Sequence, residues 1–120
     1  MAPTAGPDAV LGMQAAYYVT TGVAPFVSRR LFEAITGPKH DWWLVQTVGG
    51  VVAVLGAGLG FAIAHRRVTP EVTGIAAGTA GVLTAIDVWY VAKRRIRPTY
   101  LLDAAIETGL LAGLLRAARG

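Results

Sequence analysis

Three acids stand in or beside apolar runs toward the end of the chain: Asp87, Asp103 and Glu107, within the stretch DVWYVAKRRIRPTYLLDAAIE. Carboxyls in such surroundings can exchange protons, hold a cation, or serve as general acid and base. Asp103 and Glu107 are four residues apart, which places them on one helix face, one turn from each other. At a rise of about 1.5 Å per residue, Gln46, Asp87 and Asp103 fall at a common depth, and Glu107 lies a turn deeper, near the level of Tyr17, Tyr18, Thr20 and Thr21. Gln46, Asp87, Asp103, Glu107, Tyr17 and Tyr18 are therefore the candidate ligand- or ion-binding residues, arranged along a polar track. The competing structural explanation is that Arg94, Arg95, Arg97 or Arg29 pairs with Asp87 and Asp103 and pins the loops.

Other chemistry finds less support. His40 and His65 bracket one apolar run, roughly 37 Å apart at helical rise, so they cannot share a metal or haem. The segment GAGLGFA resembles a nucleotide loop only superficially, since it lies inside an apolar run with no strand before it. The chain has no cysteine, which excludes a disulfide framework, a thiolate metal site and thiol redox chemistry. No catalytic residue, metal site or cofactor is assigned.

The elements that must position the acids follow from hydropathy. Of 120 residues, 54% are hydrophobic and 15% charged, against about 25% charged in soluble domains, and the mean hydropathy is +0.53. The charges are bunched between four apolar runs, at about 9–27, 42–64, 72–92 and 100–115, and a bilayer-spanning helix needs about 20 residues. Backbone groups in lipid must be satisfied internally, and barrel-like alternation is absent, so these runs predict an all-α fold: one domain over residues 1–120, an integral membrane antiparallel four-helix bundle with short loops. The first run is expected to be retained, because MAPTAGPDAV lacks the basic start of a cleaved leader.

Turn chemistry supports the helix ends. Gly37 and Pro38 stop one helix and Asp41 caps the next; Thr69 caps another, with Pro70 and Glu71 in its first turn. Pro25 should kink or end the first helix, after which SRRLFEAI forms a short interfacial helix over about 28–36 with Ser28 as cap; the alternative is one helix continuing to Ile35. Gly56 and Gly60, Gly74 and Gly78, and Gly109 and Gly113 each present small residues four apart, the spacing that lets membrane helices approach closely. These pairs predict tight packing at one end of the bundle and a bulkier opposite end, where Trp42, Trp43, Trp89, Tyr90 and Tyr100 collect.

A net charge of +4 and a pI near 10.0 would also suit nucleic acid. The basic residues flank apolar runs, however, where they face lipid phosphates, so the lipid bilayer is the expected partner and nucleic acid is not. Loops 28–41 and 93–99 carry seven basic residues against four on the other side, which places those loops in the cytoplasm and both termini outside.

The stretches SRRLFEAITGPKHDWWLVQTVG and DVWYVAKRRIRPTYLLDA resemble the pattern of small, largely uncharacterised four-helix bacterial inner-membrane proteins, similar in outline to the DoxX-like group. That resemblance implies a bacterial inner-membrane setting and no particular chemistry. Three functional readings follow. The first is a noncatalytic membrane component that self-associates as a homo-oligomer or docks onto a larger membrane complex. The second is a binding or transport module for a cation, proton or small amphipathic ligand, built on the intramembrane carboxylates. A lipid-modifying enzyme ranks last.

Overall fold

The computed structural model describes residues 7–119 and is all-helical: α1 (Pro7–Val27), α2 (Arg29–Thr36), α3 (Trp42–Ala64), α4 (Pro70–Ala92) and α5 (Tyr100–Arg119), with no strand among the described residues. Residues 1–6, on which most of the leader expectation rests, lie outside the described residues, as does Gly120. Two helices, α3 and α4, are long and apolar enough to cross a membrane, with mean hydropathies of 2.0 and 1.5 over their most apolar stretches.

The break between α1 and α2 falls at Ser28, not at Pro25. Pro25 is accommodated inside α1, while Ser28 adopts an extended backbone and its hydroxyl accepts a hydrogen bond from Leu31 N–H at 3.1 Å. One continuous helix to Ile35 is thereby excluded. Thr69 caps α4 as its sequence predicts, accepting from Val72 N–H at 3.3 Å, whereas Asp41 makes no side-chain capping bond to α3. The ends of α3 and α4 match each other: Arg66 and Arg94 take left-handed conformations, and the following N–H groups of Arg67 and Arg95 reach back to Ala62 O and Tyr90 O, each at 2.8 Å. This wrapped end satisfies carbonyls that the helix itself leaves open.

α1 organises the packing. It runs along α3 on one side and meets α5, and more lightly α4, on the other; α4 and α5 pack closely together. α3 and α4 barely touch despite the short turn between them, so of the successive apolar runs α1 with α3 and α4 with α5 are the close neighbours that short connections predict, and α3 with α4 are not. The reason lies in the small-residue stripe of α3, which α1 occupies. A Cβ on Gly22 would fall 2.5 Å from Ala53 N and Gly49 O, one on Gly49 2.7 Å from Gly22 O, and one on Gly56 2.8 Å from Ala15 O. These are backbone-to-backbone approaches that no side-chain rotation can relieve.

The glycine pairs read from spacing behave differently from one another. Gly56 makes the tight contact expected, Gly60 a looser one to Ala15, and Gly113 faces Val10, but Gly74, Gly78 and Gly109 face open space. α4 instead turns Ala76 and Ala80 inward, and two residues along a helix is nearly the opposite face. The pairs α1/α3 and α4/α5 meet at one end through Leu11, Ala15, Leu59, Ala76 and Leu114. Toward α2 they diverge around a cavity.

Gly56→Ala should destabilise the purified protein by about 1–3 kcal/mol, the cost of overpacking a close contact, while Gly78→Ala should be neutral or slightly stabilising, because a helical Ala is favoured over Gly and meets nothing there. Denaturation midpoints of the two variants measured side by side check this.

Candidate functional site

The inward stripe of each helix carries the polar residues to one place. On α4 the buried positions Ala76 and Ala80 continue to Asp87; on α5, Ala104, Glu107, Leu110 and Leu114 form the buried face; on α1 the stripe runs through Leu11, Gln14, Ala15 and Tyr18. Tyr17 and Tyr18, adjacent on α1, reach successive turns of α5. The Tyr17 hydroxyl donates to Asp103 Oδ1 at 2.5 Å, and the Tyr18 hydroxyl donates to Glu107 Oε1 at 2.6 Å. Glu107 is 1% exposed, Tyr18 1% and Asp87 5%. Asp103 adjoins both Asp87 and Glu107, so three carboxyls from two helices share one polar centre.

No basic side chain of the described residues neutralises it. Among the described residues the ion pair is Arg29 with Glu33, 3.3 Å apart and remote in sequence from all three acids. Arg97 donates to Ala34 O at 3.1 Å, Lys93 lies over the Trp89 ring, and Lys39 donates to Thr36 O and lies over Tyr100. The pairing expected between the 93–97 turn and Asp87 or Asp103 is therefore not made. One oxygen, Asp87 Oδ2, is buried without any hydrogen-bond partner.

The cluster floors a cavity of about 960 Å³ that opens toward α2, between the α1/α3 pair and the α4/α5 pair. Its walls are mainly apolar, from Val45, Val48 and Val52 on α3, Leu83 on α4 and Phe32 on α2. Tyr17, Tyr18, Asp87, Asp103 and Glu107 all line it. Gln46 does not: it is half-buried elsewhere on α3, one position round the helix from the Val45 wall. Thr20 and Thr21 reach the cavity but spend their hydroxyls on the carbonyls of Ala16 and Tyr17. Compared with protein families, curated proteins and solved structures, the chain matches none. The site must be read from its own geometry.

Two contributors escaped the sequence reading. Gln14, 0% exposed, donates from Nε2 to Ala76 O at 3.0 Å and leaves Oε1 unpartnered, tying α1 to α4 one turn below Tyr18. Its signal is its spacing, three and four residues before the tyrosines, on the same face. The second is α2 itself, bound across the cavity mouth: besides the Arg97 bond, Thr99 Oγ1 donates to Ile35 O at 2.9 Å. Gly37, at φ 98°, ends α2 against the Arg97 side chain in a conformation open to glycine. Glu33 fixes the loop that follows: it accepts from Lys39 N–H at 2.8 Å, and that bond, reinforced by Arg29, holds its carboxyl below the usual glutamate range. His65 stacks on Phe61, and among the described residues no group of His, Asp and Glu is arranged to hold a metal ion.

A double-mutant cycle on Tyr18→Phe and Glu107→Gln should give a coupling energy of about 1 kcal/mol in unfolding of the purified protein, because the bond is buried and engages a carboxyl. Additive single effects would show that the bond does not join the helices.

Proposed function

We propose that this chain is a small integral membrane protein that binds a small amphipathic molecule, with the polar end of the ligand on Asp87, Asp103 and Glu107 and its apolar body in the cavity. In this reading α1, α3, α4 and α5 form an antiparallel four-span bundle and α2 lies at the interface. Only 22% and 17% of the most apolar stretches of α3 and α4 are buried within protein, which leaves lipid to cover the rest. The acids of α5 are no obstacle to its spanning, because Asp103 and Glu107 engage α1 and do not face outward. Loops 28–41 and 93–99, the more basic side, face the cytoplasm, and the resemblance to small bacterial inner-membrane proteins supplies the setting.

The observation that carries the binding function is Asp87 Oδ2: a buried carboxyl oxygen without a hydrogen-bond partner, at the floor of a large apolar cavity and with no cation of the described residues paired to it. Buried polar atoms are almost always satisfied, and an intramembrane acid is costly without a partner. A cavity of this volume is within the range of small-molecule sites. Transport is a natural extension, since the cavity is open toward α2 and closed at the other end by Leu11, Leu59, Ala76 and Leu114.

The assembly reading has one observation in its favour. Gly74, Gly78 and Gly109 expose small-residue faces that the internal packing leaves unused, as a contact between copies would require.

Native mass spectrometry of the gently solubilised protein beside Glu107→Gln separates the two readings. Retention of a small molecule by the wild type, and its loss from the variant, is the expected result. A ligand-free oligomer unchanged by the substitution would favour assembly through the glycine faces.

A further inference from the structure

We infer that the ligand is a lipophilic amine in its protonated form, seated with its N–H bonds among Asp87, Asp103 and Glu107 and its apolar body toward α2. This rests on the cavity being a ligand site and specifies what that site selects.

The first argument is charge. Three carboxyls from α4 and α5 converge; Arg29, Lys39, Lys93 and Arg97 at that end of the molecule are engaged by carbonyl oxygens, aromatic rings or Glu33, and among the described residues no basic side chain pairs with Asp87, Asp103 or Glu107. An anionic head would meet only like charge, and a neutral head would leave the acids as they are. A cation supplies what the protein does not.

The second argument is hydrogen-bond polarity. Both tyrosine hydroxyls already spend their protons on Asp103 and Glu107, so they cannot donate to a ligand. The unpartnered Asp87 oxygen is an acceptor as a carboxylate. The site therefore offers acceptors, and the complementary head is one that donates. An ammonium with at least one N–H does so; a quaternary ammonium carries the charge but has no proton to give. Discrimination between those two heads is the signature of this site, because a simple negatively charged cavity would take both.

The third argument concerns shape. A metal ion would use neither the volume of about 960 Å³ nor the walls of Phe32, Leu44, Val48, Val52, Leu83 and Tyr100, and the carboxyls are not grouped as metal ligands. These walls call for an extended hydrocarbon or aromatic body. Leu31, Ile35, Val48 and Leu102 line the cavity while more than half exposed at the surface, so such a body reaches the site sideways, from the apolar surroundings of the helices.

Equilibrium dialysis of the full chain in zwitterionic-lipid nanodiscs, corrected with empty discs, tests this with four probes that share one tail: dimethyldodecylamine, dodecyltrimethylammonium, dodecanol and dodecanoate. The amine should bind saturably at one per chain. The quaternary probe should bind about tenfold more weakly or worse, the loss of one charge-assisted hydrogen bond, and the alcohol and carboxylate more weakly still. Asp87→Asn should remove the preference for the amine over the quaternary head; if that variant does not fold, the ranking of the four probes on the wild type decides alone. Saturable binding of dodecanol or dodecanoate equal to that of the amine, blocked by Leu83→Trp, would overturn the amine assignment while leaving a ligand cavity in place. Absence of saturable binding for all four would overturn both.

Discussion

Two tyrosine–carboxyl hydrogen bonds join the halves of this molecule. The backbone-to-backbone contact at Gly22, Gly49 and Gly56 makes α1 and α3 a rigid pair, and α4 and α5 form the other. Tyr17 and Tyr18 project from the first pair onto Asp103 and Glu107 of the second. Below them the halves are sealed by leucine and alanine; above them they part. The tyrosines thus mark the depth at which close packing gives way to open space, and the acids sit at the cavity floor for that reason.

The same geometry explains why the acids lack basic partners. Arg97 and Thr99 use their donors to hold α2 across the mouth, and the lysines settle on aromatic rings at the rim. Cations spent on the rim leave the interior negatively polarised. An ion pair inside would have stabilised the acids but filled the space; hydrogen bonds from phenols hold them in place and keep it free.

Much of this was legible in the chain. Acids are conspicuous in apolar runs, a four-residue spacing fixes the shared face of Asp103 and Glu107, and helical rise puts Glu107 near the level of the tyrosines of α1; that Tyr17 reaches Asp103 is visible only in the structure. The break before α2 followed from a proline near a serine cap, although only geometry shows that Ser28 makes it. Gln46 was misplaced because common depth along a helix says nothing of rotation about it. The glycines of α4 and α5 share that weakness: spacing identifies a smooth face without saying whether a neighbour covers it, and Ala76 and Ala80 serve the packing instead. Gln14 was missed because a single amide in an uncharged run carries little signal until its partner, a backbone carbonyl on a distant helix, is known.

What most directly tests this picture is the company the acids keep. In purified protein with tyrosine, arginine, aspartate and glutamate selectively labelled, through-space NMR contacts should link the ring of Tyr17 to Asp103 and that of Tyr18 to Glu107, with none from the acids to Arg94, Arg95 or Arg97. Contacts from those arginines to Asp87 or Asp103, in place of the tyrosine contacts, would mean that the acids are neutralised by the basic turn and that the cavity has no unmet charge to offer a ligand.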